Sequence, residues 1–167
     1  MNIFILDKDR MKCAEYATDT HVSSQIKELC QMLSTAHHVM AAANPLIKDI
    51  NRLLHPALCK PINPNHPCTK WVRETTSNYL WAIDFLRLLE LEFEYRKGKT
   101  HETFQNRYDA VRRMPKNIPE GPRTPFARCI PKKYTEENIV DAYRRYYNEE
   151  KSRLFEWTNR EVPYWII

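Results

Sequence analysis

Apolar residues recur at helical spacing through most of the chain, and prolines cut that pattern into pieces. Val22, Ile26, Leu29 and Leu33 form one stripe, with the three- and four-residue steps of a helix that buries one face. That helix is expected from about Met11 or Asp19 to Ala43, stopped at Asn44-Pro45, because the residue before a proline is driven out of the helical region. A proline-punctuated connector runs from Leu54 to Pro67. Trp71, Thr75, Tyr79, Ala82, Leu86, Leu89 and Phe93 then repeat along the longest apolar face, closed by Lys97-Gly98, where glycine suits a left-handed C-cap. This is the expected central helix. A third helix, His101 to Met114, leads into Pro115, Pro119, Pro122, Pro125 and Pro131, a stretch too rich in proline for a helix or a central strand. A last helix is expected from about Thr135 to Trp157, ahead of the aromatic tail Val162-Pro-Tyr-Trp-Ile-Ile. Ile3 to Leu6 reads as strand-like or extended. The pattern predicts an all-α single domain over residues 1–167, of about four helices with a long proline-rich loop. Val22, Ile26, Leu33, Trp71, Tyr79, Leu86, Leu89 and Phe93 are expected in its core.

A polar edge runs beside the first stripe. His21 and Glu28 are seven residues apart, two helical turns, so they share a face with Gln25 between them. Anchored by the apolar stripe, such an edge can point an acid and an imidazole into a cleft. The same residues, with Asp19 as an N-cap, also suit an ordinary solvated helix face.

Composition removes several classes. The chain has 167 residues, 43% hydrophobic and 28% charged, enough to bury a core without metals or disulfides, and no apolar run approaches the roughly 20 residues of a membrane span. The start, Met-Asn-Ile-Phe-Ile-Leu-Asp, does not read as a signal peptide, and an intracellular location is expected. Cys13, Cys30, Cys59, Cys68 and Cys129 are odd in number and scattered, which suits reduced thiols. With Gly98 and Gly121 alone, neither a dinucleotide-binding turn nor a phosphate loop can be built. No cofactor is expected.

Net charge is +5, yet residues 99 to 133 hold nine Lys or Arg against three acids. A surplus confined to one segment is the footprint of a polyanion partner, or else a solvated loop. His55, Cys59, His66 and Cys68 are zinc-type ligands, but they lack paired spacing. Asn65-His-Pro-Cys-Thr-Lys reads more simply as a turn entering a helix, with Asn65 or Thr69 capping it and Lys70 and Arg73 placed to meet a phosphate. In the last helix, Tyr143, Tyr147 and Phe155 suit a core face. The alternative has Tyr146 or Tyr147 stacking on an exposed base while Arg145 meets phosphate.

The opening heptapeptide, Asp19-x-His21 with Glu28, Asn65-His-Pro-Cys, Trp71-Val-Arg, Asn78-Tyr-x-Trp81 and Tyr95-Arg-x-Gly-Lys-Thr-His101 resemble a family of small tailed-phage proteins along nearly the whole chain. More remotely, the arrangement resembles the phage pyrimidine-dimer DNA glycosylases of the endonuclease V type, compact all-α enzymes. That resemblance implies a base-directed enzyme acting on DNA with a flipped or modified base, in the cytoplasm of an infected host cell and away from membranes. It puts Glu28 in the place of the catalytic acid, His21 in that of the histidine and Lys27 in that of the basic residue before the acid. Family members attack with the α-amine of a small residue exposed by methionine removal. Asn2 is too large for efficient removal, so Met1 is expected to stay and offer its own amine, and an α-amine is partly neutral at physiological pH. Gln31 stands where the family has a second arginine. Substrate contacts are expected from Asp19, Gln25, Lys27, Lys70, Arg73, Arg112, Arg113 and Tyr147. Two other readings stay open: a transferase that modifies a flipped pyrimidine without needing a free amine, and a non-enzymatic binder of a nucleotide or host protein.

Overall fold

A computed structural model describes residues 1–44, 54–134 and 138–167. Its helices are α1 (Arg10–Tyr16), α2 (Asp19–Ala42), α3 (Pro67–Val72), α4 (Thr76–Lys97), α5 (Glu102–Val111) and α6 (Ile139–Glu150), with short 3₁₀ turns at Lys132–Tyr134 and Ser152–Leu154. No strand forms among the described residues. The eight expected core residues are all buried.

Local capping chemistry cuts the helices more finely than their apolar spacing suggests. Two helices occupy the first predicted span. Ala17 is extended, and the Thr18 hydroxyl accepts the His21 amide to start α2 afresh. Thr18, not Asp19, is therefore the cap. The predicted central helix is likewise two. α3 ends at Val72, and Thr75 accepts the Asn78 amide at the head of α4, so Trp71 belongs to α3. His66, rather than Asn65 or Thr69, caps α3 through its ring nitrogen. Gly98, at φ +66°, ends α4 in the left-handed conformation expected of it. The last helix is shorter than its predicted span, from the Asn138 cap to Glu150. Pro45 and Thr135 lie outside the described residues.

α2 packs lengthwise on α4, α5 and α3. Ile3, Phe4, Ile5 and Leu6 thread through the core as buried, non-helical chain. Phe4 touches His21 of α2 on one side and Tyr143 and Tyr147 of α6 on the other, so the N-terminal segment is the layer between these two helices.

The proline-rich segment is an ordered strap. A proline has a carbonyl to satisfy but no N–H, and α4 supplies donors at its head. The Thr76 amide binds the Pro119 carbonyl at 2.9 Å, the Thr75 hydroxyl that of Pro122 at 3.0 Å and the Ser77 hydroxyl that of Gly121 at 2.7 Å. Asn78 locks Thr124 from both ends of its amide. A Cβ on Gly121 would stand 3.2 Å from Thr75 Cγ2, which explains a glycine in the tightest part of this contact.

On the opposite side, Arg96 is buried and binds Glu92 at 2.6 Å, Asp19 at 2.9 Å and the carbonyls of Ala17 and Glu15. It ties α4 to the α1–α2 junction. Arg96→Ala is expected to destabilise the fold by about 3–5 kcal/mol in urea unfolding, since it removes the buried cation that Asp19 and Glu92 share and leaves each with only its half-exposed cationic partner, Lys97 or Arg160.

Candidate active site at the N-terminal amine

The buried N-terminal segment has no strand partner among the described residues, and two side chains of α2 take that place. Gln25 Oε1 accepts the Phe4 amide at 3.0 Å, and Glu28 Oε2 accepts the Asn2 amide at 2.8 Å. Alternate amides of an extended chain point the same way, and helix residues three apart share a face. The other oxygen of Glu28, Oε1, lies 3.3 Å from the Met1 α-amine. One carboxylate thus bridges the backbone of residue 2 and the terminal nitrogen, and its side chain remains 27% exposed.

Asn2 fixes this terminus from the other side. Its Nδ2 donates to the Cys129 carbonyl at 3.1 Å, and its Oδ1 accepts the Tyr143 hydroxyl and the Ile3 amide, each at 2.8 Å. Met1 Sδ accepts the Thr69 hydroxyl at 3.1 Å. Helix α6, α3 and the strap therefore all converge on the first two residues.

A pocket of about 330 Å³ opens over the amine, lined by Met1, Asn2, Phe4, Thr20, His21, Ser24, Glu28, Cys129, Tyr146 and Lys151. Larger hollows of about 400 and 500 Å³ lie elsewhere, beside the C-terminal tail and beside Lys8 to Arg10, but neither includes the amine, the imidazole or Glu28. Within the pocket, His21 stacks on Phe4 with centroids 4.4 Å apart, and its Nδ1 lies 2.5 Å from the Tyr147 hydroxyl. Burial, with the nearby Lys151 charge, pulls the His21 pKa down to about 4. The ring is neutral at physiological pH and can orient or exchange a proton without carrying a fixed charge.

The residues singled out in the sequence fall into distinct places. Met1, His21 and Glu28 line the same pocket. Gln25 is fully buried, and its Nε2 finds no partner among the described residues. Asp19 is two residues from His21, about 200° around the helix, and faces away. Its oxygens are taken by Arg96, Lys97 and Thr158. Burial opposes its ionisation, but those partners win and hold the carboxyl well below the usual range. Asp19 thus joins two helices and does not reach the pocket.

Tyr147 is fully buried beneath His21 and has no face for a base. Its neighbour Tyr146 lines the pocket instead, with Lys151 Nζ 5.0 Å from its ring centroid. The Arg73 guanidinium is spent on the carbonyls of Thr69 and Pro64, where it holds the turn before α3. Lys27 and Lys70 are exposed, as are Arg112, which pairs with Asp109, and Arg113. Arg145 pairs with Glu149.

Thr20, Ser24 and Cys129 were not visible as pocket residues from spacing. Thr20 and Ser24 sit four apart on α2, next to the His21 edge, a signal that helical geometry carries. Nothing local marks Cys129. It touches Cys68 with sulfurs 3.0 Å apart; that contact pulls Cys129 down to about 7, while the same contact and burial push Cys68 up.

Comparison with known proteins adds one match. The sequence model of the family described as pyrimidine dimer DNA glycosylase matches residues 1–106. No curated protein and no solved structure matches the chain. The matched span includes Met1, His21 and Glu28 and ends before the strap, Cys129 and Tyr146.

Two measurements test this geometry. Histidine in an unfolded chain titrates near 6.5, whereas burial holds His21 and His37 near 4. Between those values the unfolded state binds protons that the folded state refuses, so stability is complete above pH 6.5 and falls as pH drops towards 4. Urea unfolding is expected to show a loss of about 3 kcal/mol per histidine across that window, about 6 kcal/mol for the pair, and about half of that in His37→Gln. Asn2→Ala is expected to cost about 1–3 kcal/mol, because it takes the acceptor from the Ile3 amide and the donor from the Cys129 carbonyl.

Proposed function

The chain belongs to the pyrimidine dimer DNA glycosylase family, and on that premise we propose that it excises damaged pyrimidines from DNA, with the Met1 α-amine as nucleophile and Glu28 as the catalytic carboxylate. The single observation that carries this reading is the 3.3 Å approach of the amine to Glu28 within an open pocket.

In this scheme Glu28 takes a proton from the Met1 ammonium and frees its lone pair. The amine attacks C1′ of the damaged nucleotide as the C1′–N bond breaks; the electron pair of that bond leaves with the base, which takes the proton from Glu28 and returns it to the carboxylate form. The sugar ring opens at O4′ and the amine becomes an imine. Glu28 offsets the positive charge that develops at C1′ and then shuttles the proton needed for strand cleavage. Both of its oxygens already face nitrogen donors, so the carboxylate is oriented before substrate arrives. His21 is a neutral proton relay or phosphate-orienting group, held by Tyr147.

A pocket of about 330 Å³ lies at the low end of the roughly 300–1,000 Å³ range of small-molecule sites, which suits one nucleotide turned out of the duplex. Tyr146 offers it a stacking face, and Lys151 a cation for its phosphate. Lys27, Lys70, Arg112 and Arg113 are exposed charges for the flanking backbone. Gln25, Asp19 and Arg73 act indirectly, by seating the N-terminal segment, α2 and the turn before α3.

Glu28→Gln is expected to keep DNA binding and lower excision of pyrimidine dimers by about a hundredfold or more. Borohydride added during turnover is expected to trap a protein–DNA adduct whose peptide mass maps to Met1. An adduct at an internal lysine, or full activity after a residue is added ahead of Met1, would overturn the assignment of the nucleophile. Affinity for DNA is expected to fall steeply with salt, and Arg112→Glu with Arg113→Glu to flatten that slope.

A further inference from the structure

Beside the pocket, three residues from two distant segments bring thiophilic metal ligands together. His66 caps α3, Cys68 lies in its first turn, and Cys129 arrives from the strap, 61 residues beyond Cys68. One ring nitrogen of His66 and the two sulfurs lie within 4.8 Å of one another. We propose that His66, Cys68 and Cys129 bind a thiophilic divalent cation of the zinc class, which clamps the strap to α3 at the wall of the pocket.

Ligand chemistry and spacing both support this site. A tetrahedral zinc ion sits about 2.3 Å from sulfur and 2.0–2.1 Å from imidazole nitrogen, which puts ligand atoms about 3.4–3.8 Å apart. The sulfurs stand 3.0 Å apart and the whole set is within 4.8 Å, so that edge length falls inside the observed range. On binding, each thiol enters as a thiolate and releases its proton to solvent, so two negative charges meet a dication and the cluster is neutral. Neutrality matters here, because the Met1 ammonium and Glu28 are close by. Cys129 lines the pocket, which gives a cation a way in from solvent.

His55 and Cys59, grouped with His66 and Cys68 by sequence proximity, go elsewhere. The His55 ring accepts the Ala57 amide, and the Cys59 carbonyl contacts His38. The donor set is completed by a residue that no spacing motif would recruit. A clamp at this point has a mechanical use: Cys129 is also the residue whose carbonyl holds Asn2, so fixing it fixes the terminus above Glu28.

The test uses full-length protein, purified in a non-thiol reductant, stripped with a chelator and titrated with Zn²⁺ or Co²⁺. The expected result is one metal per chain, a thiolate-to-cobalt charge-transfer absorption and a higher thermal midpoint with Zn²⁺. Cys129→Ser and His66→Ala are expected to weaken uptake by about tenfold or more, whereas Cys59→Ser leaves it unchanged. Substoichiometric uptake, a cobalt spectrum without thiolate absorption, or a Cys68–Cys129 disulfide that persists in the reductant would each overturn the site. Should Cys129→Ser fail to fold, the wild-type cobalt spectrum decides alone. None of these readouts depends on glycosylase activity, so the two readings fail separately.

Discussion

The structure depends on how the first four residues are paired. Ile3 to Leu6 are buried without a neighbouring strand among the described residues, and buried backbone amides must find partners. Gln25 and Glu28 are those partners for Phe4 and Asn2. This demand holds whatever chemistry the protein performs, and it carries a consequence. The carboxylate that satisfies the Asn2 amide with one oxygen presents the other to the terminal nitrogen. A backbone-pairing requirement therefore orients the acid, the amine and the pocket floor together, before any substrate is present.

The first turns of α2 separate two electrostatic regimes. Asp19 points into a dense ionic network with Arg96 and Lys97, where every carboxylate is paired and the purpose is to join α1, α2, α4 and the C-terminal tail. His21 points the other way, into an aromatic nest of Phe4 and Tyr147 where burial suppresses its charge. An aspartate and a histidine two residues apart look like one functional unit along the chain. Helical rotation sends them to opposite sides, and α2 becomes the wall between a scaffold and a site. The ionic side holds the wall in place, and the aromatic side keeps the imidazole neutral.

The strap closes the far side of the pocket. Its prolines remove backbone donors, so it accepts hydrogen bonds from Thr75, Thr76 and Ser77 and asks for few in return. It lies along the head of α4 without becoming a helix or strand, and it carries Cys129 to the N-terminus. The segment's positive charge and its structural role are thus compatible. Side-chain donors on α4 hold its carbonyls, which leaves exposed side chains on its outer surface.

Much of this protein is legible along the chain. Helical periodicity determined the all-α class and the buried faces of α2 and α4, because a 3.6-residue repeat of apolar side chains has one low-energy solution. The seven-residue step from His21 to Glu28 determined that these two share an edge, and the Asp-x-His and Glu pattern pointed to the glycosylase family that residues 1–106 match. The helix breaks at Ala17 and at Arg73 to Thr75 were written in capping residues, a weaker signal than periodicity because one hydroxyl competes with a continuous ladder of backbone bonds. Tertiary structure alone decided the rest. It turned Asp19 away, buried Tyr147 and brought Tyr146 forward, bound Arg73 to two carbonyls, and set Asn2 and Cys129 beside the amine although 127 residues separate them. Local sequence specifies dihedral preference and which face is apolar, whereas contacts between distant segments follow from how all those faces are buried at once.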